Sequence, residues 1–251
     1  MSDSLIIIPT YNEKENIEKL IRKIFSLSKD FHILVIDDNS PDGTAGTVRE
    51  LLNEFEGKLY LDVREAKLGL GTAYIYGFKW ALQRHYKYIF EMDADFSHNP
   101  EDLVRLYNTC AVDGYDLAIG SRYINGVNVI NWPMGRVLMS YYASAYVRLI
   151  TGMKVRDTTA GFKCYKREVL EAINLDKIRF TGYAFQIEMK FIAWKLGFKI
   201  KEVSIVFTDR SEGASKMSKG IFREAVLGVI SLRLKSLFKG YKKYRAIPVA
   251  A

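Results

Sequence analysis

Asp93-Ala94-Asp95 lies between Tyr86, Tyr88, Ile89 and Phe90, residues suited to a buried strand, and Asn99-Pro100-Glu101-Asp102, which opens a helix. Two carboxylates two residues apart share one face of an extended strand, and a turn at that point aims both into a crevice. Carboxylate oxygens are hard ligands suited to Mg²⁺ or Mn²⁺, ions that commonly also hold substrate phosphates. Taken alone, such a pair reads as solvated loop acids, so its meaning depends on the company it keeps.

Several candidates keep it company. Asp37 and Asp38 close a second strand, where a nucleoside would lie if a metal-bound diphosphate sat at Asp93 and Asp95; each also reads as a loop cap. Arg122, Arg210 and Lys216 are cations suited to phosphates, with solvated surface charge as the plain alternative. Gly69-Leu70-Gly71 opens a helix and either approaches a phosphate or permits a tight turn. Tyr74 occupies the third glycine position of G-x-G-x-x-G and no P-loop pattern occurs, which argues against a dinucleotide fold and a P-loop NTPase. His32, His85 and His98 have no ligand spacing; His98 reads as a loop histidine or a substrate contact.

These residues need elements to carry them. Leu5-Ile6-Ile7-Ile8, ended by Pro9, is the apolar run of a strand covered on both faces. Ile17, Leu20, Ile21 and Ile24 mark an amphipathic helix, and Ile33-Leu34-Val35-Ile36 a second buried strand. A helix through Val48, Leu51, Leu52 and Phe55, a strand over 59–63 and a helix over about 72–84 lead to the strand before Asp93. This alternation specifies a doubly wound, mostly parallel α/β sheet with right-handed crossovers, whose ligands bind beyond the carboxyl ends of the strands. Tyr11, Glu13, Asp38, Asp93 and Asp95 then share one rim. Further on come a helix over about 100–112, a strand over 117–120, a loop over 125–133 and a helix over 136–150. The last has Arg136 and Arg148 as its only charges and reads as a core helix or as one resting on a membrane surface. A polar turn over 156–162 precedes a short strand and a helix starting near Arg167, a helix opened by Gly182 ends at Gly197, and a strand over 203–207 and a long helix from 221 to about 238 follow.

With 251 residues, 49% of them hydrophobic, the chain can fill one large α/β domain or two small ones. A net charge of +8 favours anionic partners. Arg233, Lys235, Lys239, Lys242, Lys243 and Arg245 lie near the end with no acid among them. They are not interleaved with a recognition motif, so no nucleic-acid partner is expected. Cys110 and Cys164 form no C-x-x-C pair, which argues against a disulfide framework or zinc site and fits a reducing, cytosolic location. The start shows no signal core, and no run of about 20 apolar residues spans a bilayer.

Read together, Pro9-Thr10-Tyr11-Asn12-Glu13, Asp37-Asp38-Asn39-Ser40-Pro41-Asp42-Gly43-Thr44, Lys67-Leu68-Gly69-Leu70-Gly71-Thr72-Ala73-Tyr74, Asp93-Ala94-Asp95, Gly120-Ser121-Arg122-Tyr123 and Arg156-Asp157-Thr158-Thr159 closely resemble the dolichol-phosphate mannosyltransferases, from about Leu5 to Lys216. The resemblance implies a GT-A nucleotide-sugar transferase fold and inverting transfer of mannose from GDP-mannose to a dolichyl or polyprenyl phosphate; transfer of glucose from UDP-glucose is the alternative within the class. It also implies a nucleotide-sugar site of Pro9, Tyr11, Glu13, Ile36, Asp38 and Ala94, with Asp93 and Asp95 holding Mg²⁺ or Mn²⁺ and the diphosphate. Arg122, Arg210 and Lys216 match cations near the phosphates, and Arg122 and Arg136 the acceptor-phosphate site. Ser97 stands where some relatives place a Gln metal ligand, so Ser97 or water fills that position. The expected organisation is a catalytic domain over 1–217 and a basic amphipathic segment over 218–251. The expected location is peripheral, on the cytoplasmic face of a membrane, with a membrane-anchoring subunit as a further partner. The loop around Gly213 reads as a lid that brings Lys216 inward.

Overall fold

The computed structural model describes residues 2–209 and 219–238, without the side chains of Tyr183, of residues 219–226 and of Phe238. The expected lid around Gly213 lies outside the described residues. Five strands follow one another with helices between them: β1 (Ser4–Thr10), α1 (Lys14–Phe25), β2 (His32–Asp37), α2 (Thr44–Leu52), β3 (Leu59–Val63), α3 (Leu70–Leu82), β4 (Tyr88–Glu91), α4 (Asp102–Ala111) and β5 (Leu117–Ser121). Then come β6 (Val129–Ile130), α5 (Met134–Thr151), β7 (Lys163–Lys166), α6 (Arg167–Ala172), α7 (Tyr183–Lys195), β8 (Ile200–Ser204), β9 (Phe207–Thr208) and α8 (Lys219–Phe238).

Seven strands form one sheet in the order β3-β2-β1-β4-β7-β5-β8, and β6 pairs with β9 in a separate ribbon. The apolar run in β1 works in both directions, as a strand with helices on either face must. Leu5 and Ile7 pack with α3, while Ile6 and Ile8 pack with α1. The layer on α3 is tight: a Cβ at Gly77 would lie 2.7 Å from Ile7 Cγ2, so only glycine lets this helix approach so closely.

The sheet is mostly parallel, and β7 is the strand that runs antiparallel, to both β4 and β5. The reversal has a positional consequence. Because β7 runs backwards, its first residue, Lys163, lies at the same rim as the last residues of β4 and β5, pairing with Glu91 and Ile119. The turn 156–162 that precedes it is therefore delivered to the rim where Asp93, Asp95 and Arg122 emerge. The strand expected over 203–207 is instead divided between β8 and β9, with Ile205 and Val206 between them. β6 occupies part of the loop expected over 125–133.

α5 settles the choice between a core and a surface helix. Only Ser144, Val147 and Thr151 are buried along its 18 residues, whereas Met134, Leu138, Met139, Tyr141, Tyr142 and Leu149 are exposed. α8 lies against α5 and α7, with Val229 and Leu232 buried and Leu227, Ile230, Leu234 and Leu237 exposed. Cys110 and Cys164 are buried free thiols.

Candidate active site

β4 ends at Glu91, and the chain turns within the next few residues, with Phe96 at φ 55°. Asp93 is half-buried and Asp95 buried, and both line a cavity of about 180 Å³. Asp95 Oδ1 accepts the backbone N–H of Ser97 at 3.1 Å, while Asp93 Oδ1 accepts the Tyr74 hydroxyl at 3.3 Å. Tyr74 is fully buried; burial first, then the charge of Asp93, push its phenol well above the usual range, so it remains a donor. The two carboxylates are thus brought together by a turn rather than by a shared strand face.

Behind them lies a buried polar network. Glu91 accepts the Tyr165 hydroxyl at 2.9 Å and Gln186 Nε2 at 2.7 Å, and pairs with Lys163 Nζ at 3.0 Å. Burial lowers the Lys163 pKa, and the Glu91 charge opposes that shift. Lys190 donates to the Ala160 carbonyl at 2.6 Å, and burial holds its pKa well below normal. Each buried polar group with a partner avoids the large penalty of standing alone. The network ties β4, β7 and α7 together beneath the cavity, which Gln186 lines.

Two arginines enter the same cavity. Arg122 Nε and Nη2 donate to the two oxygens of Asp157 at 2.7 and 2.6 Å, and the Arg122 backbone N–H adds a bond at 3.0 Å. Burial alone would raise the Asp157 pKa, but the charge and hydrogen bonds of Arg122 outweigh it and hold the carboxyl below 3.8. Arg136 projects from the first turn of α5, its Nη1 2.8 Å from both oxygens of Asp209 and its guanidinium 4.2 Å from the centre of the Trp132 ring. His98 stacks on Phe162 at 4.8 Å, and burial pushes its imidazole down to about 4, so it is neutral at pH 7. Ser97 Oγ and His98 Nδ1, both buried beside Asp95, have no hydrogen-bond partner among the described residues.

The other rim residues form a neighbouring stretch outside this cavity. Pro9 and Ile36 face each other across β1 and β2. The Ile36 side chain is fully buried beneath α3, so a contact with a ligand would run through its backbone. Asp38 pairs with Arg64, whose Nε lies 2.6 Å away, and Arg64 also reaches Thr72. Asp37 caps its loop, accepting from Thr10 and from the N–H of Ser40. Tyr11 lies under Lys67, 4.1 Å from the ring centre; Glu13 heads α1, and Ala94 is buried between the two cavity aspartates. Gly69, at φ 98°, needs glycine for its turn, and a Cβ on Gly71 would lie 2.9 Å from both the Phe180 carbonyl and the Phe185 ring. That pair serves a turn and close packing. Arg210 and Lys216, as well as Lys239, Lys242, Lys243 and Arg245, lie outside the described residues.

Sequence reasoning missed the partners. Asp157 belonged to a recognised motif without a role, and Asp209 and Gln186 were unassigned. One signal was available: a lysine and a glutamate in strands as buried as β7 and β4 require partners across the sheet.

A model of glycosyl transferase family 2 matches residues 5–173. The polyprenol monophosphomannose synthase of Mycolicibacterium smegmatis is 47% identical over 227 residues, covering 90% of this chain and 85% of the relative. The undecaprenyl-phosphate mannosyltransferase of Micrococcus luteus is 42% identical over 238 residues, covering 95% and 97%. Among solved structures, glucosyl-3-phosphoglycerate synthase from Mycobacterium tuberculosis, in complex with Mn²⁺, UDP and its product, aligns with a TM-score of 0.65 at 17% identity, covering 92% of this chain and 78% of that one. That likeness establishes a GT-A fold, with the acidic pair at the carboxyl edge of a mostly parallel sheet. The protein belongs to glycosyl transferase family 2, among its polyprenyl-phosphate mannosyltransferases.

Proposed function

We propose that the protein transfers mannose from GDP-mannose to a polyprenyl phosphate with inversion at the anomeric carbon. One observation carries this reading: an acidic pair suited to a metal-bound diphosphate and an arginine suited to a phosphate open into a single cavity of about 180 Å³. Donor and acceptor phosphates would meet there across one sugar. The names of the two close relatives support the acceptor and the sugar.

The residues present fit a divalent cation. Asp93 and Asp95 offer hard oxygens, and the unpartnered Ser97 hydroxyl lies beside them. No group of three or more His, Cys, Asp or Glu side chains able to hold a metal occurs among the described residues, so the diphosphate and water would complete the shell. When bound, Mg²⁺ or Mn²⁺ supplies charge neutralisation at the departing diphosphate. Arg122, held by Asp157, presents a fixed guanidinium toward the same phosphates. Arg136 orients the acceptor. A phosphate monoester is largely ionised at pH 7, so its oxygen attacks without a strong general base. The nucleoside would rest on the rim formed by Pro9, Tyr11, Glu13 and Asp38, and Arg210 and Lys216 would add positive charge from the adjoining segment.

The exposed apolar residues of α5 and α8 would lie on a membrane surface, near where the lipid enters. No helix among the described residues is long and apolar enough to cross a membrane, so this contact would be peripheral. The test combines purified protein, Mn²⁺, a polyprenyl phosphate and a panel of labelled GDP- and UDP-sugars. Mannosyl lipid formed from GDP-mannose supports the reading; sugar release without glycolipid refutes the acceptor. Equal partitioning onto anionic vesicles by the full chain and a Leu138→Ser/Tyr142→Ser variant would remove the membrane role of α5.

A further inference from the structure

Arg136 meets its substrate already neutralised. Its Nη1 lies 2.8 Å from both oxygens of Asp209, and that carboxylate is placed by the backbone, because the Asp209 N–H bonds the Ile130 carbonyl at 3.0 Å. β9, which ends just before Asp209, pairs with β6, which leads into the helix bearing Arg136. The pair is also open to exchange: the two side chains are 32% and 24% exposed, against 10% and 0% for Arg122 and Asp157 in the same cavity.

We propose that Asp209 is an internal competitor for the acceptor phosphate, and that by holding Arg136 between turnovers it sets the affinity of the acceptor subsite and speeds release of the glycolipid. The inference rests on reading Arg136 as the acceptor-phosphate residue. A polyprenyl phosphate carries close to two negative charges at pH 7, enough to displace a carboxylate carrying one. During transfer an acceptor oxygen forms a bond to the anomeric carbon. The bond from that carbon to the donor phosphate breaks, and its electron pair leaves with GDP. No proton has to move. The acceptor phosphate becomes a diester with a single negative charge, while GDP gains one.

At that moment the ligand on Arg136 has lost its advantage over Asp209. The carboxylate is tethered beside the guanidinium at high effective concentration, so it recaptures Arg136 and the glycolipid is released. Either lipid can engage Arg136 only while the Asp209 pair is open, so Asp209 weakens the binding of both lipids by one common factor.

The test uses the full chain in detergent with Mn²⁺, farnesyl phosphate as acceptor and β-mannosyl farnesyl phosphate as product. Acceptor KM and product-inhibition constant are measured for wild type, Asp209→Asn, Asp209→Glu and Arg136→Gln. Asp209→Asn is expected to lower acceptor KM and the product constant together, each about three- to tenfold. A first-turnover burst should appear as product release slows. Asp209→Glu, which keeps the carboxylate, should restore both constants. Should Asp209→Asn fold poorly, Asp209→Ser reads the same two constants. Unchanged constants in Asp209→Asn with Arg136→Gln still raising acceptor KM overturn the competitor while leaving the Arg136 reading intact. An unchanged KM in Arg136→Gln overturns that reading and the inference with it.

Discussion

The floor and the mouth of the cavity each hold an arginine paired with an aspartate, and the two pairs are built differently. At the floor, Asp157 is fully buried and receives two guanidinium nitrogens and a backbone N–H from Arg122. At the mouth, Asp209 meets a single nitrogen of Arg136 in a setting open to water. The first arrangement cannot be undone without stranding a charge in a low-dielectric interior. The second can be exchanged for another anion at little loss. On the proposed reading, fixed positive charge lies where the donor phosphates would bind, and exchangeable positive charge where a lipid phosphate would come and go.

The most severe way to break this contrast is Asp157→Ala, which leaves the Arg122 guanidinium buried without its partner. We expect a loss of about 3–5 kcal/mol in urea unfolding. Next come Asp93→Asn and Asp95→Asn, each expected to reduce mannosyl transfer about 10²–10³-fold with stability little changed. Near-normal turnover in either variant would detach the acidic pair from the chemistry.

A smaller effect concerns pH. The Asp157 carboxyl is held below 3.8 in the folded protein, so its contribution is fully present above the unfolded value and is lost as the pH falls through the folded one. The stability gap between wild type and Asp157→Asn should therefore be constant near neutrality and close only below 3.8. Smallest of all, Arg136→Ala should cost less than about 1 kcal/mol of stability while raising acceptor KM. If it destabilises the fold as much as Asp157→Ala, the distinction between floor and mouth collapses.

What the sequence disclosed follows from the range of the forces involved. Local apolar patterning marked β1, β2 and the helices between them, because burial on two faces leaves an unbroken run such as Leu5 to Ile8. The direction of β7 was hidden, though not its existence. Its Lys163-Cys164-Tyr165-Lys166 alternates charge with bulk, and Lys163 tolerates full burial only through Glu91 and Gln186, 72 and 23 residues away. Asp93, Asp95, Arg122 and Arg136 were recognisable from motifs and do share one cavity. Their aspartate partners were not, since nothing in local spacing pairs Arg122 with a residue 35 positions later. The glycine pair at 69 and 71 read equally as a phosphate loop until Phe180 and Phe185 were seen packed against it.

The reversed strand also dictates an order of events during synthesis. β4 and β5 touch only through β7, so a nascent chain that has emerged as far as Ser121 holds a four-stranded sheet with an open edge and a fifth strand with no neighbour to join. The gap between β4 and β5 closes only once Lys166 has cleared the ribosome, and β8 joins β5 later still. Until β7 arrives, the edge of β4, immediately before the acidic pair, is the surface a chaperone would have to guard.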